Sequence, residues 1–488
     1  MPRPSKTTRR LVGPFNRVEG DLEITLDIAA GRVTEARVNA PMYRGFEQIL
    51  SGKAPRDALV YVPRICGICS VSQSVAAARA LADLAGVTPA PNGQHATNLM
   101  LAAENLADHV AHFYLFFMPD FTRPIYAPHA WHAEATRRFA PQSGEQTRQA
   151  IAARQRWLTL LGVLGGKWPH TQSIEPGGSA RSIDAAERLR LLSSIREFRA
   201  FLEQVLFAAP LEEIAALTSE SALLEWHAQD PWRGDFRAFL SLSQALALDQ
   251  LGPGPGRFLS FGAYPQADGA YALESGLWQG GHRQTVDTRV ITEDASHAWF
   301  ADSSARHPLD GQTVPDADKP GAYSWSKAPR LAGAVVETGA IARQLNAGQR
   351  LLIDAVQRHG GTVYTRVLAR LLELARVMPL MEDWLRQLRP GEPYCLPTPL
   401  PDSGAGIGLN EAARGALGHW LTVRHGRIAN YQIVSPTTWN FSPRDGEGAP
   451  GALELALTGA PVSKGEDTPV AVQHIVRSFD PCMVCTVH

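Results

Sequence analysis

The sequence contains 488 residues, of which 44% are apolar and 19% are charged, and its formal net charge is −1. This near balance of charge argues against a general polyanion-binding protein, because neutralising phosphates requires a basic surface, so we expect no nucleic-acid partner. The sequence has no run of about 18 apolar residues, and we therefore expect no direct membrane span.

The first twenty residues, MPRPSKTTRRLVGPFNRVEG, include a twin arginine at positions 9–10. An export signal would continue with an apolar segment, but polar residues and a proline interrupt this stretch at once, at Pro14, Asn16, Arg17 and Glu19. We interpret the segment as a basic lead-in and expect a cytoplasmic localisation. If the protein is exported, a partner must carry the signal.

The pattern of apolar residues predicts a mainly helical chain. Alternation in 21–40 predicts a hairpin that turns at Ala30–Gly31. Helical periodicity occurs at 72–86, 98–118, 145–165, 184–217, 330–357 and 364–388. The break LGPGPGRF (251–258) precedes a stretch at 259–325 that is typical of strands and loops. A second hairpin is predicted at 419–434, with its turn near His425–Gly426. The fold class is therefore α+β, helix-dominated, with small sheets.

The five cysteines are too few for a disulfide scaffold in a chain of this size. Four of them form two C-x-x-C pairs, Cys66/Cys69 and Cys482/Cys485, while Cys395 stands alone. Such pairs indicate metal or redox chemistry, but a zinc ribbon would place them about 15–20 residues apart. Here nearly the whole chain separates them. Spacing alone leaves three possibilities: two unrelated pairs, a long-range zinc site, or a four-thiolate site for a soft metal such as nickel or iron.

The residues around the cysteines resemble the large subunit of nickel–iron hydrogenases. The resemblance spans nearly the full chain, and R-x-C-G-x-C together with D-P-C-x-x-C-x-x-H is highly specific. The motifs, in family order, are RVEG (17–20), RGFEQIL (44–50), RICGIC (64–69), DHVAHFY (108–114), GGKWPH (165–170), EAARGALGHW (411–420), SPTTWN (435–440) and DPCMVCTVH (480–488). The implied activity is reversible heterolytic cleavage of H2 into protons and electrons.

The resemblance also implies a fold, with a central helical bundle and small peripheral sheets. We expect one interlocked unit over 1–488. Its segments are an N-terminal sheet and lead-in (1–60), a helical core (61–250 and 326–400), a smaller strand and loop lobe (251–325), and a C-terminal hairpin with a metal-binding segment (401–488).

The family match assigns roles to the residues of the metal centre. Cys66 and Cys482 would be terminal nickel ligands, and Cys69 and Cys485 would bridge to an iron that carries CO and CN ligands. The residues expected to surround the iron ligands and the thiolates are Arg414, Pro436, Thr437, Asp108 and Asp480. Arg414 would bind a cyanide and polarise hydrogen, Pro436 and Thr437 would face the other cyanide, and the two aspartates would orient Arg414.

Two further expectations concern protons and a second metal. Glu19 would relay protons from a terminal cysteine, although Asp21 stands after Gly20 where the family commonly has histidine, which leaves the onward route open. Glu47, His488 and the Val434 carbonyl would bind Mg2+ or Ca2+.

Ala413 replaces a common proline, so we expect a small change of shape there. Family precursors usually carry a removable extension after the last histidine. None is present in this sequence, so we expect either a matured form or a branch that never had an extension, and we favour the second.

Ile68 and Phe116 bear on the physiological role. Many energy-generating members have Val and Leu at these positions, which line the end of a gas channel. Larger side chains resemble the regulatory, hydrogen-sensing branch, whose members signal to a histidine kinase; the alternative is that both residues are ordinary core fillers. The competing function is an uptake hydrogenase feeding respiration.

A small partner subunit would hold the iron–sulfur clusters, because this chain lacks the cysteines for them. The related quinone-module subunit of complex I lacks the cysteine pairs and is disfavoured.

Overall fold

The computed structural model describes residues 7–463 and 465–488; the first six residues of the predicted lead-in lie outside this part of the chain. Helices make up 46% of the chain, which confirms the helix-dominated fold class. The helices are α1 (Phe46–Leu50), α2 (Ala58–Tyr61), α3 (Ser70–Ala85), α4 (Pro91–Ala111), α5 (His132–Phe139), α6 (Glu145–Gly165), α7 (Ala185–Phe201), α8 (Leu211–Ala215), α9 (Glu220–Ala228), α10 (Asp235–Leu246), α11 (Ala340–Asn346), α12 (Arg350–His359), α13 (Val363–Gln387), α14 (Pro436–Asn440), α15 (Ala452–Leu457), α16 (Val470–Phe479) and α17 (Met483–Thr486).

The strands form small antiparallel sheets. They are β1 (Thr8–Val12), β2 (Glu23–Ala29), β3 (Arg32–Asn39), β4 (Ile174–Glu175), β5 (Gly178–Ser179), β6 (Arg257–Ser260), β7 (Ala263–Pro265), β8 (Tyr271–Leu273), β9 (Gly276–Gln279), β10 (His282–Gln284), β11 (Ile291–Asp294), β12 (Ala328–Leu331), β13 (Gly404–Ala412), β14 (Gly415–Arg424) and β15 (Arg427–Val434). Two of the sheets are meanders, β1-β2-β3 and β13-β14-β15.

The core is built around α4 and α13, which pack against each other and against α6, α7, α11 and α16. Both helices are rich in Ala and Leu and are buried on nearly all faces, as expected of helices at the centre of a large protein. A π-helical turn, His112–Phe117, continues α4. Several buried polar residues of α4 and α13 form hydrogen bonds with neighbouring elements, among them Glu104, Asn105 and Glu373, which makes these two helices the frame of the site described below.

The second meander lies directly on α3. Gly406 and Gly408 allow this approach, because a Cβ at these positions would lie 2.1 Å from the Ala80 carbonyl oxygen and 1.9 Å from the Ala76 carbonyl oxygen. Only a residue without a side chain fits so close to a helix backbone. The contact fixes the β13–β14 turn, which holds Arg414, against the helix that begins after Cys69.

Both predicted hairpins are confirmed, with turns at Ala30–Gly31 and at His425–Gly426, where each residue has positive φ. The predicted helix at 330–357 is wrong in its first third, since β12 occupies 328–331 and α11 begins only at Ala340. Pairing with β11 overrides the helical pattern there. Among the described residues, no helix is both long and apolar enough to cross a membrane.

Candidate metal centre

The two cysteine pairs meet inside the protein. The Sγ atoms of Cys66 and Cys482 are 3.5 Å apart, those of Cys69 and Cys485 are 3.1 Å apart, and those of Cys482 and Cys485 are 2.9 Å apart. All four sulfurs lie within 4.8 Å of one another and all four residues are buried. The possibility of two unrelated pairs is therefore excluded. Four converging thiols fit a soft metal, which binds thiolates in preference to oxygen ligands.

Each pair is placed by the start of a helix. Cys69 immediately precedes α3, and the Ile68 N–H donates to Cys66 Sγ at 3.3 Å. Cys482 precedes α17, after Asp480 has turned the chain with a φ of 59°. The segment around Cys482 forms a parallel bridge with Glu19, in which the Met483 N–H donates to the Glu19 carbonyl at 2.7 Å. The beginning and the end of the chain are thus joined at the site.

The charge state of the thiols also fits a bound metal. Hydrogen bonds from the neighbouring thiols, that of Cys482 foremost, hold the pKa of Cys66 well below its ordinary value. Burial raises the pKa of Cys482 and raises that of Cys485 further. One thiolate therefore forms readily and is shared by hydrogen bonds, while the other sulfurs keep their protons until a cation replaces them.

Arg414 lies in the two-residue turn between β13 and β14. Its Nε donates to the Asp480 carbonyl at 2.9 Å, and its Nη2 lies 3.2 Å from both Asp480 Oδ1 and Asp108 Oδ1. Although burial opposes its charge, these two carboxylates and the thiols of Cys482 and Cys69 raise the pKa of Arg414 well above its usual value. The guanidinium is therefore a permanent cation beside the sulfurs.

Several buried polar atoms of Arg414 and of its two aspartates make no hydrogen bond within the part of the chain that the structure describes. Among the described residues, Arg414 Nη1, Asp480 Oδ2 and both carboxylate oxygens of Asp108 are buried without a hydrogen bond. Buried polar atoms are rarely left unpaired, and the free N–H group of Arg414 Nη1 fits an additional bound group with an acceptor atom. Thr437 also lies at the site, since its Oγ1 accepts the Cys482 N–H at 3.1 Å, and Pro436 precedes it at the start of α14.

Glu19 is half-buried next to the thiols. Its pKa is raised, first by burial and then by the negative charge of Cys66. A raised pKa makes the carboxyl group a better proton acceptor, which is what a relay requires.

A second cluster surrounds the last residue of the sequence. His488 Nε2 lies 3.2 Å from Glu47 Oε1, which also accepts the Ile433 N–H at 2.8 Å, and Val434 is the next residue on β15. Lys327 Nζ lies 3.2 Å from Glu47 Oε2. Despite burial, the charges of Lys327 and His488 lower the pKa of Glu47 to about 2.

Glu293 completes this cluster. It lies 3.7 Å from Lys327 Nζ, and burial raises its pKa to about 7. Neither carboxylate oxygen of Glu293 has a hydrogen-bond partner within the described ranges. A histidine nitrogen, an ionised carboxylate and a buried carboxyl without a hydrogen bond fit a hard divalent cation. The sequence did not point to Lys327 or Glu293, because neither lies in a motif.

Arg44 is another site residue that sequence reasoning missed. Its guanidinium donates to the carbonyls of Arg64 and Ile65, which precede Cys66, and to that of Val484, which precedes Cys485. It therefore links the two cysteine segments directly. Its position in RGFEQIL was the only available signal.

Glu104 on α4 is a further residue that sequence reasoning missed. It accepts the N–H groups of Val71 and Ser72 at 2.8 and 2.9 Å and thus caps the helix that follows Cys69. Burial raises its pKa to about 7.

The two residues of the predicted gas channel, Ile68 and Phe116, are only partly buried. Ile68 is half-buried between the first two cysteines and packs against the main core. Phe116 is also half-buried, on the π-helical turn, and its carbonyl accepts a hydrogen bond of 3.0 Å from Arg17 Nη1. Their role as a gas channel stays a prediction.

Comparison with known proteins agrees with this geometry. The family model described as "Nickel-dependent hydrogenase" matches residues 44–157 and 145–488. The periplasmic NiFeSe hydrogenase large subunit of Desulfomicrobium baculatum is 32% identical, over 98% of this chain and 94% of that protein. The hydrogenase-2 large chain of Escherichia coli K12 is 27% identical, over 98% and 97%. A solved structure of the Dm. baculatum NiFeSe hydrogenase superposes with a TM-score of 0.85 at 30% identity, covering 99% of this chain and 100% of that one.

Proposed function

The chain belongs to the nickel-dependent hydrogenase family as a large subunit, and on this premise we propose that Cys66, Cys69, Cys482 and Cys485 hold a nickel–iron centre with CO and CN ligands on the iron. When bound, this centre supplies the redox chemistry for the reversible heterolytic cleavage of H2. The observation that carries the proposal is the convergence of four buried sulfurs within 4.8 Å, beside a buried arginine with an unpaired N–H group.

The residues around the sulfurs have distinct tasks. Arg414 would offer its unpaired Nη1 to a cyanide and would polarise hydrogen, because its charge is permanent and its planar donors are fixed by Asp108 and Asp480. The segment of Pro436 and Thr437 would bind the other cyanide. Pre-set donors of this kind cost no reorganisation during the reaction.

Protons leave through Glu19. A terminal thiolate, Cys66 or Cys482, would accept the proton that the reaction releases, and Glu19 would accept it from the sulfur. Its backbone pairing with the Cys482 segment keeps the carboxyl group at the thiols. Its raised pKa lets it both accept the proton and pass it on.

The second cluster takes a divalent cation, Mg2+ or Ca2+, held by Glu47, His488 and the Val434 carbonyl. The cation would balance the buried carboxylates of Glu47 and Glu293, and it would tie the segment with Cys482 and Cys485 to α1. Lys327 would then contact the carboxylates from one side. We propose this set of cation ligands from the arrangement of these groups.

Electrons leave through a partner subunit. Four of the five cysteines are used at the centre, and the remaining Cys395 cannot bind an iron–sulfur cluster alone. A small subunit carrying the clusters is therefore required.

For the physiological role, we propose a cytoplasmic H2 sensor that signals to a histidine kinase. The support is Ile68 beside Cys69 and Phe116 on the turn that follows Asp108, both larger than the Val and Leu of many energy-generating members. The alternative is an uptake hydrogenase, which the name of one relative favours: the uptake hydrogenase large subunit of Rhodobacter capsulatus, 26% identical.

Metal analysis and infrared spectroscopy test the centre. The protein matured in its host should contain nickel and iron in equal amounts and show CO and CN stretching bands. Cys482→Ser should lose both metals, whereas Cys395→Ser, outside the cluster, should keep them. Zinc alone in the matured protein would refute the proposal.

Two experiments separate the sensor from the uptake enzyme. Deleting the gene should abolish hydrogen-dependent induction of hydrogenase genes and leave growth on H2 dependent on other enzymes. Ile68→Val with Phe116→Leu should make H2 oxidation more sensitive to oxygen. Unchanged oxygen sensitivity would remove the channel argument, and loss of growth on H2 with normal induction would favour the uptake role.

A further inference from the structure

Arg343 holds the backbone that presents Arg414. This arginine lies on α11 with its side chain fully buried. Its Nη1 donates to the Ala412 carbonyl at 2.6 Å and its Nη2 donates to the Ala413 carbonyl at 2.9 Å. These are the two residues immediately before Arg414. One planar group therefore fixes two successive peptide units of the turn.

Arg370 holds the chain before Asp480 in the same manner. It lies on α13, and its Nη1 and Nη2 donate to the carbonyls of Ser478 and Phe479 at 2.7 and 3.1 Å. These are the two residues immediately before Asp480, whose carbonyl and carboxylate bind Arg414. A buried guanidinium group thus fixes the backbone immediately before Arg414, and another fixes the backbone immediately before Asp480.

A single helix connects the two arrangements. Glu373, one turn after Arg370 on α13, accepts from Arg343 Nη2 at 2.8 Å and from Nε at 3.0 Å. Glu411 on β13 accepts from Arg343 Nη1 at 2.9 Å. Glu373 therefore sets the position of Arg343, while Arg370 on the same helix sets the chain before Asp480.

We propose that Arg343 and Arg370 are positioning residues that aim Arg414 and Asp480 at the metal centre. The direction of a side chain on a two-residue turn follows the orientation of its peptide units, and a fork to two successive carbonyls fixes that orientation. Guanidinium can form this fork, whereas the single ammonium of lysine cannot. The inference rests on the proposed function only in that Arg414 acts on groups of the nickel–iron centre.

Lysine substitutions test the proposal in the complete hydrogenase purified with its partner subunit. Arg343→Lys and Arg370→Lys keep the positive charge and lose the fork. Arg237→Lys is the matched control, because Arg237 is also buried and donates to two carbonyls, those of Trp226 and Arg233, which precede no site residue. Nickel and iron content, cyanide stretching frequencies and H2 oxidation are measured for each variant.

We expect Arg343→Lys and Arg370→Lys to retain both metals, to shift the cyanide bands and to lose about 10- to 100-fold in turnover, as for residues that orient metal-site groups. Arg237→Lys should match the wild type in all three measurements. Wild-type cyanide bands and turnover in both lysine variants would overturn the proposal. An equal loss in Arg237→Lys would also overturn it, by showing that any buried arginine has the same effect.

Hydrogen–deuterium exchange gives a readout that does not depend on the metals. Peptides covering 412–415 should exchange faster in Arg343→Lys, and peptides covering 478–482 should do so in Arg370→Lys, each without a change in the other segment. If one variant fails to fold, the other still tests its own segment. Absence of nickel from the wild type would refute the proposed function, whereas unchanged exchange in the two segments would refute the positioning role.

Discussion

Replacing Glu373 with glutamine is expected to destabilise the protein, because it removes one charge from a fully buried ion cluster. Arg343, Glu373 and Glu411 have no exposed side-chain surface, and Glu373 also lies 3.1 Å from His109 Nε2. Although burial opposes its charge, the adjoining Arg343 and His109 hold the pKa of Glu373 well below its usual range. Glutamine keeps the shape and one acceptor but leaves Arg343 with a single carboxylate.

The size of the effect follows from burial. Removing one partner of a buried ion pair costs about 3–5 kcal/mol, and we expect about 3 kcal/mol because Glu411 still faces Arg343. The entropy of unfolding is about 2.1 cal/mol/K per residue, so for 488 residues it is about 1 kcal/mol/K. The midpoint of thermal unfolding should therefore fall by about 3 °C.

Differential scanning calorimetry of the purified variant measures this change. Asp383→Asn is a matched control on the same helix, since Asp383 pairs at 2.5 Å with Arg386 and both side chains are more than half exposed. Such exposed pairs contribute about 0.5 kcal/mol or less. Because the pKa of Glu373 is lower in the folded than in the unfolded protein, its ionised carboxylate stabilises the folded state at pH values above the unfolded-state pKa. This stabilisation is lost as the pH falls. The difference in unfolding midpoint between the wild type and Glu373→Gln should therefore shrink below about pH 4. Equal midpoints for Glu373→Gln and Asp383→Asn at pH 7 would refute the reasoning.

The remaining predictions concern the proton relay, the second cation and a buried carboxyl. Glu19→Gln should keep nickel and iron but lose about 10²- to 10⁴-fold in H2 oxidation, measured with an artificial electron acceptor; wild-type turnover would exclude Glu19 from proton transfer. His488→Gln should lower the magnesium or calcium content and speed hydrogen–deuterium exchange in residues 480–488, and an unchanged cation content would exclude this ligand. Because the pKa of Glu104 is raised to about 7, its folded form binds a proton that the unfolded chain has already lost. The melting temperature of the wild type relative to Glu104→Gln should therefore fall as the pH rises from about 4.5 to 7, and a constant difference would contradict the raised pKa.

Motifs with a fixed local spacing were predictable from the sequence. R-x-C-G-x-C and D-P-C-x-x-C-x-x-H identify the four cysteines, and the family resemblance by itself predicts that Arg414, Asp108 and Asp480 lie beside them. The two hairpins were predictable because an Ala-Gly or His-Gly pair, with positive φ at both residues, reverses an alternating strand pattern. The first third of the helix expected at 330–357 was wrongly predicted, because its first residues pair with β11. A local pattern holds no information on such a contact.

The supporting residues of the centre were beyond the reach of sequence reasoning. Arg343 and Arg370 occur in ordinary helical patterns, and their importance comes from the carbonyls they reach, 69 and 70 residues away for Arg343 and 108 and 109 for Arg370. Lys327 and Glu293 likewise meet Glu47 only after the chain has folded. A side chain with many possible partners acquires one role when packing selects among them.

The sequence alone determined the donor atoms of the metal centre, because thiolate chemistry depends on residue type and C-x-x-C spacing is a local property. The tertiary structure decided that both pairs form one site, with sulfurs within 4.8 Å although the pairs lie 416 residues apart along the chain. It also decided how Arg414 is aimed at that site. The direction of the Arg414 side chain depends on the orientation of the adjoining peptide units, which buried guanidinium groups from distant helices fix. No stretch of neighbouring residues contains that information.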